Sequence, residues 1–168
     1  MSTATSTSTT TYTQVHTVNF LTTEIWNQLR MVIRESGLDA ATFVEDEALY
    51  TRGIRTWLTS GHLEYVYVEI YDKQTDNLIK RWDIKVKEDS SGNKTLWADT
   101  EGIRYAIAKA GKLPSGCSYS IKIHNKPGRP DVDGFVKCSD RSASHLTIAS
   151  VGTTATANGT NLQTLFYR

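Results

Sequence analysis

The chain has no Asp, Glu, Lys or Arg before Glu24 and none from Ser142 to Tyr167. Nearly all of its charge therefore lies in the middle, and the two ends are chemically unlike the centre. The total is close to neutral, 19 basic against 18 acidic residues for a formal net charge of +1, so nothing in it draws the chain to nucleic acid or to an anionic membrane. Cysteine is scarce. Cys117 and Cys138 stand 21 positions apart with no CxxC pair, which argues against a zinc site and against a disulfide-built scaffold. With no charged-then-apolar leader ahead of them, they are expected to be reduced thiols in a cytoplasmic protein. No apolar run approaches the roughly 18 residues that a membrane-crossing helix needs.

Catalytic signatures are also missing. The four histidines, His16, His62, His124 and His145, are scattered, with no HExxH and no closely spaced His/Cys/Asp set. There is no P-loop, no GxGxxG and no GxSxG. Asp131 and Asp133 in PDVDG resemble part of a calcium loop, but the other ligands and the distal Glu are absent, so a turn is the better reading. Tyr65, Tyr67 and Tyr71 could stack bases as an RNA-binding sheet does, yet a neutral chain lacks the basic field for it. These absences favour a binding module over an enzyme, with no metal and no cofactor.

What is present is organised around Glu64–Trp97, which reads as an antiparallel meander: EYVYVEIYD, then NLIKRWDIKVKE, then KTLW. Val66, Val68 and Ile70 alternate with Tyr65, Tyr67, Glu69 and Tyr71, the period of two that sends successive side chains to opposite faces. In the second run Leu78, Trp82, Ile84 and Val86 alternate with Arg81, Asp83, Lys85 and Lys87, giving one apolar and one solvated face. Turns are expected at Asp72–Asn77 and at Asp89–Asn93, DSSGN.

Helices should cover the apolar face. Val18, Leu21, Ile25, Leu29, Val32 and Ile33 form a stripe at three- and four-residue spacing, stopped by Gly37. Phe20, Trp26 and Met31 lie partly off it, so this helix should touch protein on more than one side; core is the better reading than a ligand site. A second helix is expected from about Thr42 to Gly61, with Glu45, Asp46 and Glu47 near its positive end and Tyr50, Ile54, Trp57 and Leu58 facing the core. A third, capped by Asp99 or Thr100, presents Ile103, Ala106, Ile107 and Ala110 and ends at Gly111 and Pro114. Tyr119, Ile121 and Ile123 then alternate with Ser120, Lys122 and His124 in a further strand, and Asn125–Gly134, NKPGRPDVDG, should turn the chain sharply.

The ends are harder to place. Met1–Thr11 is a Ser/Thr tract with little to bury, expected to be a flexible arm, and Tyr12–Thr17 alternates as a short strand would. Phe135–Arg168 is β-prone but weakly patterned, so it could pair in more than one register.

This element order, and the local sequences TYTQVHTVNFLTTEIWNQLRMVIRESG and WLTSGHLEYVYVEIYD, resemble the bacterial HORMA domain proteins of antiphage cyclic-oligonucleotide (CBASS) operons. The resemblance implies an α+β, HORMA-like fold: three helices packed on a mainly antiparallel sheet, with a C-terminal safety-belt segment. It divides the chain into an arm, 1–11, and a single domain, 12–168, with its core at 12–134 and its belt at about 135–168. It further implies a signalling adaptor that closes the belt around an extended closure-motif peptide. The closed form would bind and activate a cGAS/DncV-like nucleotidyltransferase, and a Pch2-type AAA+ ATPase would reopen it, with the arm as a handle.

The peptide would add as a strand to the edge formed by Tyr119, Ser120, Ile121, Lys122, Ile123 and His124. Belt residues expected to take part are His145, Leu146, Ile148, Val151, Leu162, Leu165 and Phe166, with Gly152 and Gly159 letting the backbone reroute. A fixed terminal hairpin is the plainer reading of the same tail. Little chain follows the belt, so the peptide is expected to come in trans. The Ser/Thr-rich arm and Thr/Gly-rich tail also allow a different class, a structural assembly subunit such as a phage tail or capsid-like protein.

Overall fold

The computed structural model describes residues 3–89 and 95–168, without the side chains of residues 3–13. Its elements in chain order are α1 (Thr3–Glu35), α2 (Ala41–Glu45), α3 (Glu47–Thr59), β1 (Leu63–Asp72), β2 (Leu78–Glu88), β3 (Trp97–Ala98), α4 (Thr100–Ala110), β4 (Cys117–Asn125), β5 (Ile148–Ala157) and β6 (Thr160–Tyr167). The strands form one sheet in the order β3-β5-β6-β2-β1-β4.

The stripe on α1 is the core of the molecule. Leu21, Ile25, Leu29 and Ile33 are buried against Val66, Val68, Ile70, Trp82 and Ile84 of β1 and β2. Each such side chain removed from water contributes about 1.5–3 kcal/mol. Trp26, off the stripe, is also buried and stacks on Phe43 of α2 at a centroid distance of 3.9 Å, so α1 is covered on two sides. Gly37 ends the helix region at φ 79°, where a side chain would be strained.

The second expected helix is divided at Asp46 into α2 and α3, which leaves Glu47 in the first turn of α3. Ile54 and Trp57 are buried as expected. Asp99 caps α4, its Oδ1 accepting the Gly102 amide at 2.8 Å, and Ile103, Ala106 and Ile107 face the core.

Two expectations about strands fail. Tyr12–Thr17 is not a strand, because α1 is helical from Thr3 onward. Once the Val18–Ile33 turns are fixed by packing, extending the helix backward costs no new nucleus, and this outweighs the β preference of Thr. The third strand of the meander does not follow β2 in the sheet either. Its remnant, β3, pairs with β5 at the opposite edge, while β6 occupies the edge of β2 with Trp82 opposite Phe166 and Val86 opposite Leu162. A partner supplied some 80 positions later displaced the nearer one, and the rings of Trp82 and Phe166 stack at 4.8 Å. Most of the DSSGN turn, and Met1 and Ser2 of the arm, lie outside the described residues. The Asp72–Asn77 turn forms as expected, with Asp72 Oδ1 accepting the amides of Gln74 and Thr75.

The C-terminal segment is a hairpin. β5 and β6 join at Asn158 and Gly159, both at positive φ, and β5 bulges at Gly152. A buried polar triad fastens this hairpin to α1: Gln28 Nε2 donates to Thr154 Oγ1 at 2.9 Å, Thr164 Oγ1 donates to Gln28 Oε1 at 2.7 Å, and the two threonine hydroxyls lie 3.0 Å apart. No helix among the described residues is long and apolar enough to cross a membrane.

Candidate functional site

β4 is the last strand of the sheet, paired along one side with β1 and, among the described residues, with no strand on its other side. Its two faces differ. Tyr119, Ile121 and Ile123 pack toward the helical core, whereas Lys122 faces Glu69 and the His124 ring stacks on Tyr65 at 4.6 Å. An open edge of this kind displays main-chain groups that can bind another strand. One edge carbonyl, that of Ile121, accepts the Tyr50 hydroxyl at 3.1 Å.

The segment from 126 to 147, which joins β4 to β5, arches over this edge. It first runs on the helical side. Trp57 Nε1 donates to the Pro130 carbonyl at 2.7 Å, Arg52 Nη2 donates to the Asp133 carbonyl at 2.8 Å, and the Phe135 ring meets Trp57 and Tyr50 edge-on at 5.0 and 5.7 Å. Gly53 makes room for that ring: a Cβ there would lie 2.6 Å from it. By Ser139–Arg141 the strap is on the other side of the sheet. Lys122 Nζ donates to the Ser139 carbonyl at 2.6 Å, the Tyr67 hydroxyl donates to Asp140, and Arg141 reaches Glu69. Between these two anchorages Val136, Lys137 and Cys138 cross the edge of β4 and are exposed. Beneath the crossing lies a groove of about 770 Å³.

The outer face that the alternation marks as solvated is in fact partly buried, and this is a correction. Glu69 is fully buried; it accepts the Arg141 amide at 2.8 Å and Arg141 Nη1 at 3.1 Å, and pairs with Lys122. Arg141 also reaches Asp76 at 3.0 Å and lies over the Tyr71 ring at 3.6 Å. Beside it, Arg81 bonds Asp83 at 2.6 Å and Asp140 at 3.4 Å, and covers the Tyr67 ring at 4.2 Å. Burial pushes the Asp83 carboxyl above its ordinary value against the pull of Arg81. Burial, and then the Asp140 carboxylate, push the Tyr67 phenol well above the ordinary tyrosine range. Polar residues at period two look water-facing, but here they are one another's counter-ions beneath a strap that sequence periodicity cannot reveal.

Of the residues expected on the peptide edge, Ser120, Ile121, Lys122, Ile123 and His124 line the groove. Tyr119 lies beyond it, donating to the Asp39 carbonyl at 2.9 Å. The expected belt residues are not gathered there. Leu162 and Phe166 are buried against β2, Leu165 sits opposite Asp83, and two strands separate β6 from β4. Ile148 and Val151 belong to β5, Leu146 donates its amide to the Ala143 carbonyl, and the His145 ring meets the Leu78 carbonyl at 2.7 Å. These residues fix the hairpin and the end of the strap; they do not form a wall of the groove. That wall comes instead from Tyr50 and Trp57, expected in the core, and from Phe135, Lys137 and Asp140, which lie at the start of the expected belt segment but were not singled out as its binding residues. The only local hint was Gly53, a glycine inside a helix one turn before Trp57. Asp131 and Asp133 serve the turn, and no group of three His, Cys, Asp or Glu among the described residues could hold a metal.

Comparison with solved structures places this architecture. A chain of C. elegans HTP-2 bound to a HIM-3 closure motif superposes with a TM-score of 0.66 at 11% identity, over 92% of this chain and 90% of that one. A chain of the E. coli MS115-1 CdnC:HORMA-deltaN complex gives 0.60 at 17% identity, over 92% and 88%. A chain of the mitotic checkpoint complex gives 0.60 at 10% identity, over 76% and 73%. At these identities the likeness shows the fold alone, a HORMA fold. No curated protein matches significantly. The family described as bacterial HORMA domain 2 matches residues 5–168, and with nearly the whole chain inside that match, this protein belongs to the bacterial HORMA domain family.

Proposed function

We propose that this chain is a peptide-binding signalling adaptor, not an enzyme, that holds an extended closure-motif peptide as an added strand on β4. The observation that carries the reading is the β4 edge, which pairs with no further strand among the described residues and lies beneath the arch of 126–147. Strand addition draws affinity from main-chain hydrogen bonds and selectivity from side-chain pockets on either side, and an arch over the edge would slow release. The relatives in hand support it in kind: HTP-2 is bound to a closure motif, and the E. coli HORMA protein is in complex with CdnC.

The finer reading follows the family. With the peptide held, the adaptor binds a cGAS/DncV-like nucleotidyltransferase in the cytoplasm and switches on synthesis of a cyclic oligonucleotide in antiphage (CBASS) defence. A Pch2-type AAA+ ATPase reopens it by engaging its N-terminal residues.

The test is reconstitution of the full chain with such a nucleotidyltransferase. Cyclic-oligonucleotide output should rise when a peptide that protects Ser120–His124 amides from hydrogen exchange is present. Output that ignores both the chain and the peptide would refute the adaptor role. Protection that appears on the exposed side of β5 and not on β4 would refute the site.

A further inference from the structure

We infer that the groove selects an extended peptide in which bulky apolar side chains alternate with acidic ones. The inference rests on the strand-addition reading above and specifies its ligand. A strand laid along β4 sends successive side chains to opposite sides. On the side of Ile121 and Ile123 it meets Tyr50, Trp57 and Phe135, an aromatic wall built by α3 and the strap. Apolar side chains suit that side.

The remaining lining has a surplus of positive charge, in a chain whose formal net charge is only +1. Lys122 is matched by Glu69, and Arg129 approaches Asp131 at 3.8 Å. Lys126, at the end of β4, and Lys137, on the crossing of the strap, have no carboxylate within ion-pair distance among the described residues. The one acidic side chain in the lining, Asp140, is already engaged by Arg81 and Tyr67. The cations left over are therefore complementary to an acidic ligand, and they oppose a basic one. Asn125 lines the same groove, and its Oδ1 is buried with no hydrogen-bond partner.

A random 12-residue peptide library displayed on phage, selected on the full chain near physiological salt, tests this. The expected survivors carry Asp or Glu at positions alternating with aromatic or large aliphatic residues. A synthetic survivor should then lose about 5- to 10-fold in affinity on the Lys126→Glu/Lys137→Glu variant, and its acid-to-lysine version should bind that variant better than the parent chain. Both lysines are exposed, so an unchanged thermal transition will show that the variant is folded. Survivors with apolar alternation but neutral or basic intervening positions would overturn the charge inference and leave strand addition standing. A library that yields no survivors would overturn both.

Discussion

Replacing Glu69 by Gln tests whether the outer-face charges hold the strap. The carboxylate is fully buried and binds Lys122 together with the amide and the guanidinium of Arg141. Gln keeps the shape but removes the charge, leaving two cations facing a neutral amide. Losing one partner of a fully buried pair costs about 3–5 kcal/mol. Here the side chains of Lys122 and Arg141 retain 11% and 19% exposure, and Arg141 keeps Asp76, so water and that second acid offset part of the loss. About 2 kcal/mol remains, and this falls on opening of the strap, because β1 keeps its ladders with β2 and β4. Hydrogen exchange measures it directly: the Arg141 amide and its neighbours should exchange about 30-fold faster, while amides of β1 and β2 stay close to their original rates. If exchange rises equally in β1, β2 and the strap, Glu69 supports the global fold and the latch argument fails. If nothing changes, the buried carboxylate contributes no holding force at all.

Arg81→Met strands the Asp83 carboxylate in the interior and should cost about 3–5 kcal/mol in urea unfolding, whereas Arg81→Met/Asp83→Leu should recover most of that loss. A double variant as unstable as the single one would refute the charge argument. Asp83 also shapes the pH dependence: its folded pKa is raised by burial, so between the unfolded and the folded values the folded state keeps a proton that the unfolded chain has lost. The stability this confers falls as pH rises through the folded value, and Asp83→Asn should flatten that part of the stability–pH curve; an unchanged slope would count against it. Gln28→Leu removes the hydrogen bonds that tie α1 to Thr154 and Thr164, and should cost about 1–3 kcal/mol with faster exchange concentrated in β5 and β6. Uniformly faster exchange would show instead that the triad is ordinary core.

The parts readable from the sequence were those whose determinants are local. The α1 stripe, the alternation of β1 and β2, the Asp99 cap and the β4 strand each follow from residues within a few positions of one another, and each is found close to where it is expected. The strand side of the candidate groove, Ser120–His124, is among them. The rest of its lining was hidden because its contacts are long-range and aperiodic. Trp57 meets Pro130 from 73 positions away, and Glu69 meets Arg141 from 72. The same distance effect misled the sheet order. KTLW is β-prone and close to β2 in sequence, but the hairpin offers Leu162 and Phe166 to Val86 and Trp82, and its Gln28 tie holds it there. Apolar complementarity decided the pairing, and no period in either segment encodes it.

The length of the strap bears on why it arches at all. It leaves β4 at Asn125, beside Leu63, and must reach Ile148, whose register leads through Tyr167 and Arg81 to the level of Glu69. The two points are separated by four strand-to-strand steps and six residues of strand. At ~4.8 Å per step and ~3.3 Å per residue that diagonal is about 28 Å, which roughly nine extended residues would span. The segment 126–147 has 22. A direct route would lie on the outer face, where Asp140 and Arg141 already sit; the chain first visits α3 on the opposite face, pinned at Pro130, Asp133 and Phe135. The excess is cheap, since lengthening a loop from nine to 22 residues adds only about 0.8 kcal/mol of closure entropy. It gives a strap long enough to pass outside an additional strand, ~4.8 Å beyond β4, and still reach both anchorages. A connection that only had to join β4 to β5 has no use for that slack, whereas the strand addition proposed above would use it.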